Sequence, residues 1–136
     1  MRAETADVRP SDPVRRLVTG SVAAVDTGRS LRDVADELLA DEIGAVLVTD
    51  VHGPVGVLSE RDLVAIVASG RDPDAVQAGD AMTTELVWAG PDDSVRRVGM
   101  LMRDAGVRHV PVGDGREVVG VVSVRDVLAV LLGPGS

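Results

Sequence analysis

A shift of 64 residues lays the chain on itself without a gap from Thr19 to Ala68. Identical pairs include Thr19 and Thr83, Ser30 and Ser94, Val46 and Val110, and Asp50 and Asp114. The densest match sets Gly56-Val57-Leu58-Ser59-Glu60-Arg61-Asp62 against Gly120-Val121-Val122-Ser123-Val124-Arg125-Asp126, with Ala65 and Ala129 beyond it. A duplicated unit this small carries an amphipathic face that it cannot bury alone. The duplication therefore restricts the fold to two like halves.

Each half reads as β-α-β-β-α. In the first, Ser21 to Val25 predicts a strand and Asp26-Thr27-Gly28 a turn. Ser30 suits the N-cap of a helix with Leu31, Val34, Ala35, Leu38 and Leu39 on one face. Ala45 to Thr49 and Val55 to Leu58 predict strands, and Ser59 opens a helix to about Ala68. In the second half, Leu86 to Ala89 predicts a strand and Ser94 caps a helix presenting Val95, Val98, Leu101, Met102 and Ala105. Strands over Val107 to Val112 and Val118 to Val122 flank an Asp114-Gly115 hairpin signal, and Ser123 starts a helix to Leu132 that Gly133-Pro134 stops. The fold class is α/β (α+β). Two such sheets packed face to face would bury both apolar faces about a pseudo-two-fold axis, each with a right-handed crossover. The expected organisation is a flexible N-terminus over 1–12, a first unit over 13–68, a linker rich in Gly, Asp and Pro over 69–80, a second unit over 81–132, and a tail over 133–136.

The repeated Ser-x-Arg-Asp sits where a buried strand meets a helix N-terminus. Ser59 with Asp62, and Ser123 with Asp126, fit a capping box. The same place suits a ligand. First-turn N–H groups and the positive dipole end favour anions, and a carboxylate accepts the two donors of a ribose diol. Arg61 and Arg125 both stand in a first turn that disfavours cations, a local rule broken twice in the same way.

Composition removes other chemistries. With no Cys there are no disulfides, thiol nucleophiles or thiolate metal sites, and two His, His52 and His109, do not make a histidine metal site. All fourteen basic residues are Arg, so lysine Schiff bases and a P-loop lysine are absent. The net charge of −8 opposes nucleic-acid binding. Neither a membrane span nor a secretory signal is legible, and a cytoplasmic location is expected. With Trp88 as the lone aromatic, a bound base would lie between aliphatic side chains. No nucleophile–base pairing is legible, so an enzyme is not expected.

The duplicated unit, its terminal Gly-x-x-Ser-x-Arg-Asp, and Arg108-His109-Val110-Pro111-Val112 resemble a tandem pair of CBS (cystathionine-β-synthase) domains standing alone. The resemblance covers about residues 13 to 132. It implies a non-catalytic regulatory module that binds an adenosine-containing ligand (AMP, ADP, ATP, S-adenosylmethionine or, in some members, NAD) between the two units, forms a homodimer and signals to a partner in trans. Neither a cofactor nor a metal is implied. Asp62 and Asp126 would hold ribose hydroxyls, Ser59 and Ser123 would contact ribose or phosphate, and Arg61 and Arg125 would lie near phosphate. The backbone at Thr19, Gly20 and Val22, and from Thr83 to Leu86, would approach the adenine edge. Arg108 and His109 would reach phosphate. Gly44-Ala45 stands where the second copy has Arg108-His109, so the two sites are not equivalent. The alternative is a ligand-free dimerisation or docking module.

Overall fold

A computed structural model of the chain describes residues 7–18, 23–41 and 43–133. It divides into two compact units that cross the repeat boundaries. One is continuous, residues 23–86. The other joins residues 7–18 to 87–133.

The continuous unit holds β1 (Ala24–Asp26), α1 (Leu31–Asp41), β2 (Ala45–Asp50), β3 (Gly53–Ser59), α2 (Glu60–Ala68) and α3 (Ala78–Ala81). Its sheet runs β1-β2-β3. The β1–β2 pair is parallel, which requires the α1 crossover, and the β2–β3 pair is an antiparallel hairpin. Ser30 Oγ accepts the Asp33 N–H at 3.1 Å and opens α1, whose Leu31, Val34 and Leu38 are buried at helical spacing. These residues meet Val25, Val46, Val48 and Leu58 of the sheet.

Val76 and Ala78 complete this core, although the stretch 69–80 reads as a linker. The docking has a clear cause. Val76 C=O accepts the Leu31 N–H at 2.9 Å, Gln77 bridges Ser30, and Arg32 pairs with Asp74 at 2.5 Å. The Gly/Pro/Asp composition marks irregular backbone there, not the absence of docking.

The second unit holds a 3-10 helix (Val14–Leu17), α4 (Val95–Ala105), β4 (His109–Gly113), β5 (Val118–Ser123) and α5 (Val124–Leu131). Ser94 Oγ accepts the Arg97 N–H to cap α4, and Gly106 ends it in a left-handed conformation at φ 69°. Val8, Val14 and Leu17 enter the core beside Val95, Val98, Met102, Val110, Val112, Val122, Val127 and Val130. Looseness over 1–12 is therefore not found at residues 7–12. The Val95 N–H donates to Asp12 C=O at 2.9 Å, the Arg96 N–H to Pro10 C=O at 3.0 Å, and Val8 is buried. Pro13 bridges Ser94 as Gln77 bridges Ser30, 64 residues along. The segment that precedes each repeat thus docks on the helix cap of the other repeat, Gln77 on Ser30 and Pro13 on Ser94.

The strand predicted over Leu86 to Ala89 shrinks to one parallel bridge, Ala89 to Val112. Only Ala89 is drawn into the sheet, donating to Pro111 C=O and accepting from the Gly113 N–H. Both hairpins break register at matching places, between Val48 and Thr49 and between Val112 and Gly113.

Candidate functional site

The two Ser-x-Arg-Asp motifs sit where β3 passes into α2 and β5 into α5. At α2 the capping box is complete. Ser59 Oγ accepts the Asp62 N–H at 3.3 Å, and Asp62 Oδ2 accepts the Ser59 N–H at 2.9 Å and the Ser59 hydroxyl at 3.0 Å. The Glu60 N–H donates to Gly44 C=O at 3.0 Å. At α5 the Asp126 N–H donates to Ser123 Oγ at 3.2 Å and the Val124 N–H to Arg108 C=O at 2.8 Å.

These bonds correct the expectation of a first turn rich in free donors. At α2 the Ser59, Glu60 and Asp62 N–H groups are all taken, which leaves the Arg61 N–H. The capping box takes the Ser59 and Asp62 N–H groups and the Gly44 carbonyl, from the neighbouring strand end, takes that of Glu60, so these donors are not left for an anion. The carboxylate itself keeps capacity. Asp62 Oδ2 faces the cap, so Oδ1, with two lone pairs, remains to accept from a ligand. Asp62 and Asp126 are half-buried, as are Ser59 and Ser123. Arg61 and Arg125 are exposed, and no ion pair holds either among the described residues.

The glycine that opens each motif has a steric role. A Cβ on Gly56 would fall 2.5 Å from Met82 Sδ and 2.9 Å from the Thr83 carbonyl; one on Gly120 would fall 2.8 Å from Val18 Cβ. Thr83 is held on β3 by reciprocal hydrogen bonds with Val57, at 2.9 and 3.0 Å. Thr83 is exposed and Leu86 half-buried. Arg108 is exposed just ahead of β4, and His109 is half-buried at its first position, opposite Ser123. Thr19, Gly20 and Val22 lie outside the described residues.

The CBS domain family profile matches residues 14–69 and 78–133. The chain belongs to the CBS domain family. It carries two β-α-β-β-α-like CBS repeats in tandem and matches solved CBS pairs. It is 33% identical, over 85% of its length, to an uncharacterized protein of Methanopyrus kandleri. It spans little more than half the length of the first curated relatives it matches, 58% in that case. A CBS domain protein from Pyrobaculum aerophilum, solved with AMP, is 30% identical and superposes with a TM-score of 0.77 over 88% of this chain and 95% of its own. A CBS domain pair solved with 5′-methylthioadenosine and S-adenosyl-L-methionine is 25% identical, with a TM-score of 0.80 over 91% of this chain and 98% of its own.

Within this CBS pair each unit gathers part of the residue set named from sequence. The continuous unit places Ser59, Arg61 and Asp62 at the start of α2 and Thr83 on the adjoining β3 edge. The other places Ser123, Arg125 and Asp126 at the start of α5, with Arg108 and His109 at the facing end of β4. Reading by motif missed Met82 and Val18, the residues seated on the motif glycines. Their signal is faint but present: both are apolar, 64 residues apart, and immediately precede the identical Thr19 and Thr83. Among the described residues no group of three or more His, Asp or Glu is placed to hold a metal, and no helix is long and apolar enough to cross a membrane.

Proposed function

We propose that the chain is a cytoplasmic regulatory module that binds an adenosine-containing ligand (AMP, ADP, ATP or S-adenosylmethionine) and signals to a partner in trans, without catalysis of its own. The observation that carries this reading is the acid at N3 of both α2 and α5, half-buried, with Asp62 Oδ1 left over by its cap. A ribose diol supplies the matching donor pair, in charge-assisted hydrogen bonds. The AMP-bound relative supports the ligand class. Arg125, Arg108 and His109 gather near one helix start, where added phosphates would meet cationic forks. A second copy of the chain would cover the apolar residues that α2 and α5 leave exposed.

Calorimetry with AMP, ADP, ATP and S-adenosylmethionine tests the reading, with Trp88 emission as a second signal. Adenosine ligands should outcompete their inosine counterparts, since inosine presents an acceptor where adenosine presents an amine donor. No heat with any of them at millimolar concentration would remove the reading. A second reading has its own observation: Asp62 is already spent in part on its cap. On that reading the motifs only terminate strands and start helices, and the pair serves as a ligand-free dimerisation or docking module.

A further inference from the structure

We infer that Met82 is a positioning residue: seated on the bare Cα of Gly56, it fixes the backbone from Thr83 to Leu86 that reads the base. The role of that backbone rests on the adenosine reading above; the placement rests on packing. A Cβ on Gly56 would lie 2.5 Å from Met82 Sδ and 2.8 Å from its Cγ. No side chain but glycine's leaves room for the thioether there. Met82 itself is half-buried and packs on the core of the continuous unit. The next residue, Thr83, makes its two hydrogen bonds with Val57. The following sheet contact is Ala89, six residues on. Met82 and the Thr83–Val57 pair are thus the anchors from which the exposed Thr83 and Thr84 are presented.

The repeat supports the device. Val18 sits on Gly120 as Met82 sits on Gly56, its Cβ and Cγ1 lying 2.8 and 2.9 Å from where a methyl on Gly120 would stand. Methionine is a flexible gap-filler whose thioether can shift, so the harder limit on a methyl at Gly56 is the backbone carbonyl of Thr83. Adding a methyl at Gly56 lifts the anchor; removing the thioether frees it. The two changes are opposite in volume and should partly cancel, limited by the Thr83 carbonyl at 2.9 Å.

A double-mutant cycle on the full chain tests this, with Met82→Ala, Gly56→Ala and the pair. Amide exchange at Val57 and Thr83 is measured without ligand, and AMP and IMP affinities by calorimetry. Each single variant should speed exchange at those two amides about tenfold relative to β2 amides. The double variant should show less than the product of the single effects. Met82→Ala should also narrow the AMP-over-IMP preference. Leu38→Ala, a cavity elsewhere in the same core, should lower the melting temperature without either selective effect. Unchanged local exchange in Met82→Ala, or strictly multiplicative effects in the cycle, would overturn the placement. An unchanged AMP-over-IMP preference in Met82→Ala would overturn the role. If Gly56→Ala does not fold, Met82→Ala alone decides both. A wild-type chain that gives no heat with AMP, ADP, ATP or S-adenosylmethionine defeats the adenosine reading and the role with it, while the exchange data still decide the anchor.

Discussion

On the proposed reading Asp62 does two things at once, one with each oxygen. Oδ2 closes the cap with the Ser59 N–H and hydroxyl, and Oδ1, which the cap does not use, would accept from the ligand. Asp62→Ala should therefore cost about 1 kcal/mol of stability through the cap. It should also cost on the order of 1.5–3 kcal/mol per charge-assisted hydrogen bond in ligand affinity. Asp126→Ala should act in the same direction but not equally, because Arg108 and His109 flank only that copy. Paired melting and calorimetry measurements separate the effects; lower stability with every affinity unchanged would reduce both acids to caps. Asp114 gives a pH-dependent counterpart. The Glu117 and Arg116 N–H groups donate to its carboxylate at 2.8 and 2.9 Å, which holds its pKa below the ordinary value. A depressed folded-state pKa contributes stability above the unfolded value of about 3.9, and that contribution is lost as pH falls through the folded-state value. Asp114→Asn should melt below wild type near neutrality, with the gap closing in acid; a pH-independent gap would mean the charge is irrelevant to the turn.

At the scale of elements, the arm over residues 7–18 matters more than its composition suggests. Leu17 is 5% exposed and Val14 fully buried, both in the core with β4, β5, α4 and α5. Leu17→Asp would place an unpaired charge in that core. Amide protection should then collapse in β4 and β5 while β2 and β3 stay protected; uniform loss across both units would refute independent cores. The helices and both hairpins are legible in the sequence because caps, helical periodicity and turn residues, Asp50 to Gly53 and Asp114-Gly115, are local signals. Ser30, Ser59, Ser94 and Ser123 each cap the helix whose start they mark. Docking is not legible. Nothing near Val14 or Ala78 in the sequence states which helix cap its segment meets. Leu86 to Ala89 fails as a strand for the same reason: an apolar run predicts burial, while its pairing partner decides whether a ladder forms. The motif acids stand out in the sequence; the steric reason for their glycines lies in residues far along the chain, and only the folded packing brings them together.

Across the whole molecule, unburied apolar surface is distributed by the repeat. Val64 and Leu128 occupy matching positions on α2 and α5 and are 65% and 45% exposed, and Val67 and Leu132 extend the two faces. Scattered exposed apolar residues are ordinary, but matching ones on repeat-related helices argue for a symmetric partner. A second copy supplies one. Association is opposed by charge: each chain carries −8, so a dimer carries −8 + −8 = −16. Screening weakens that repulsion as ionic strength rises, while apolar burial is little affected. Dimerisation should therefore strengthen with salt, the opposite of an interface built on ion pairs. Val64→Glu with Leu128→Glu should give a folded monomer, because both side chains already face water in the isolated chain. Light scattering across a salt series measures both effects. A wild-type chain that stays monomeric at high micromolar concentration and high salt would rule out the dimer, and one that dissociates as salt rises would place the contact on charged residues instead.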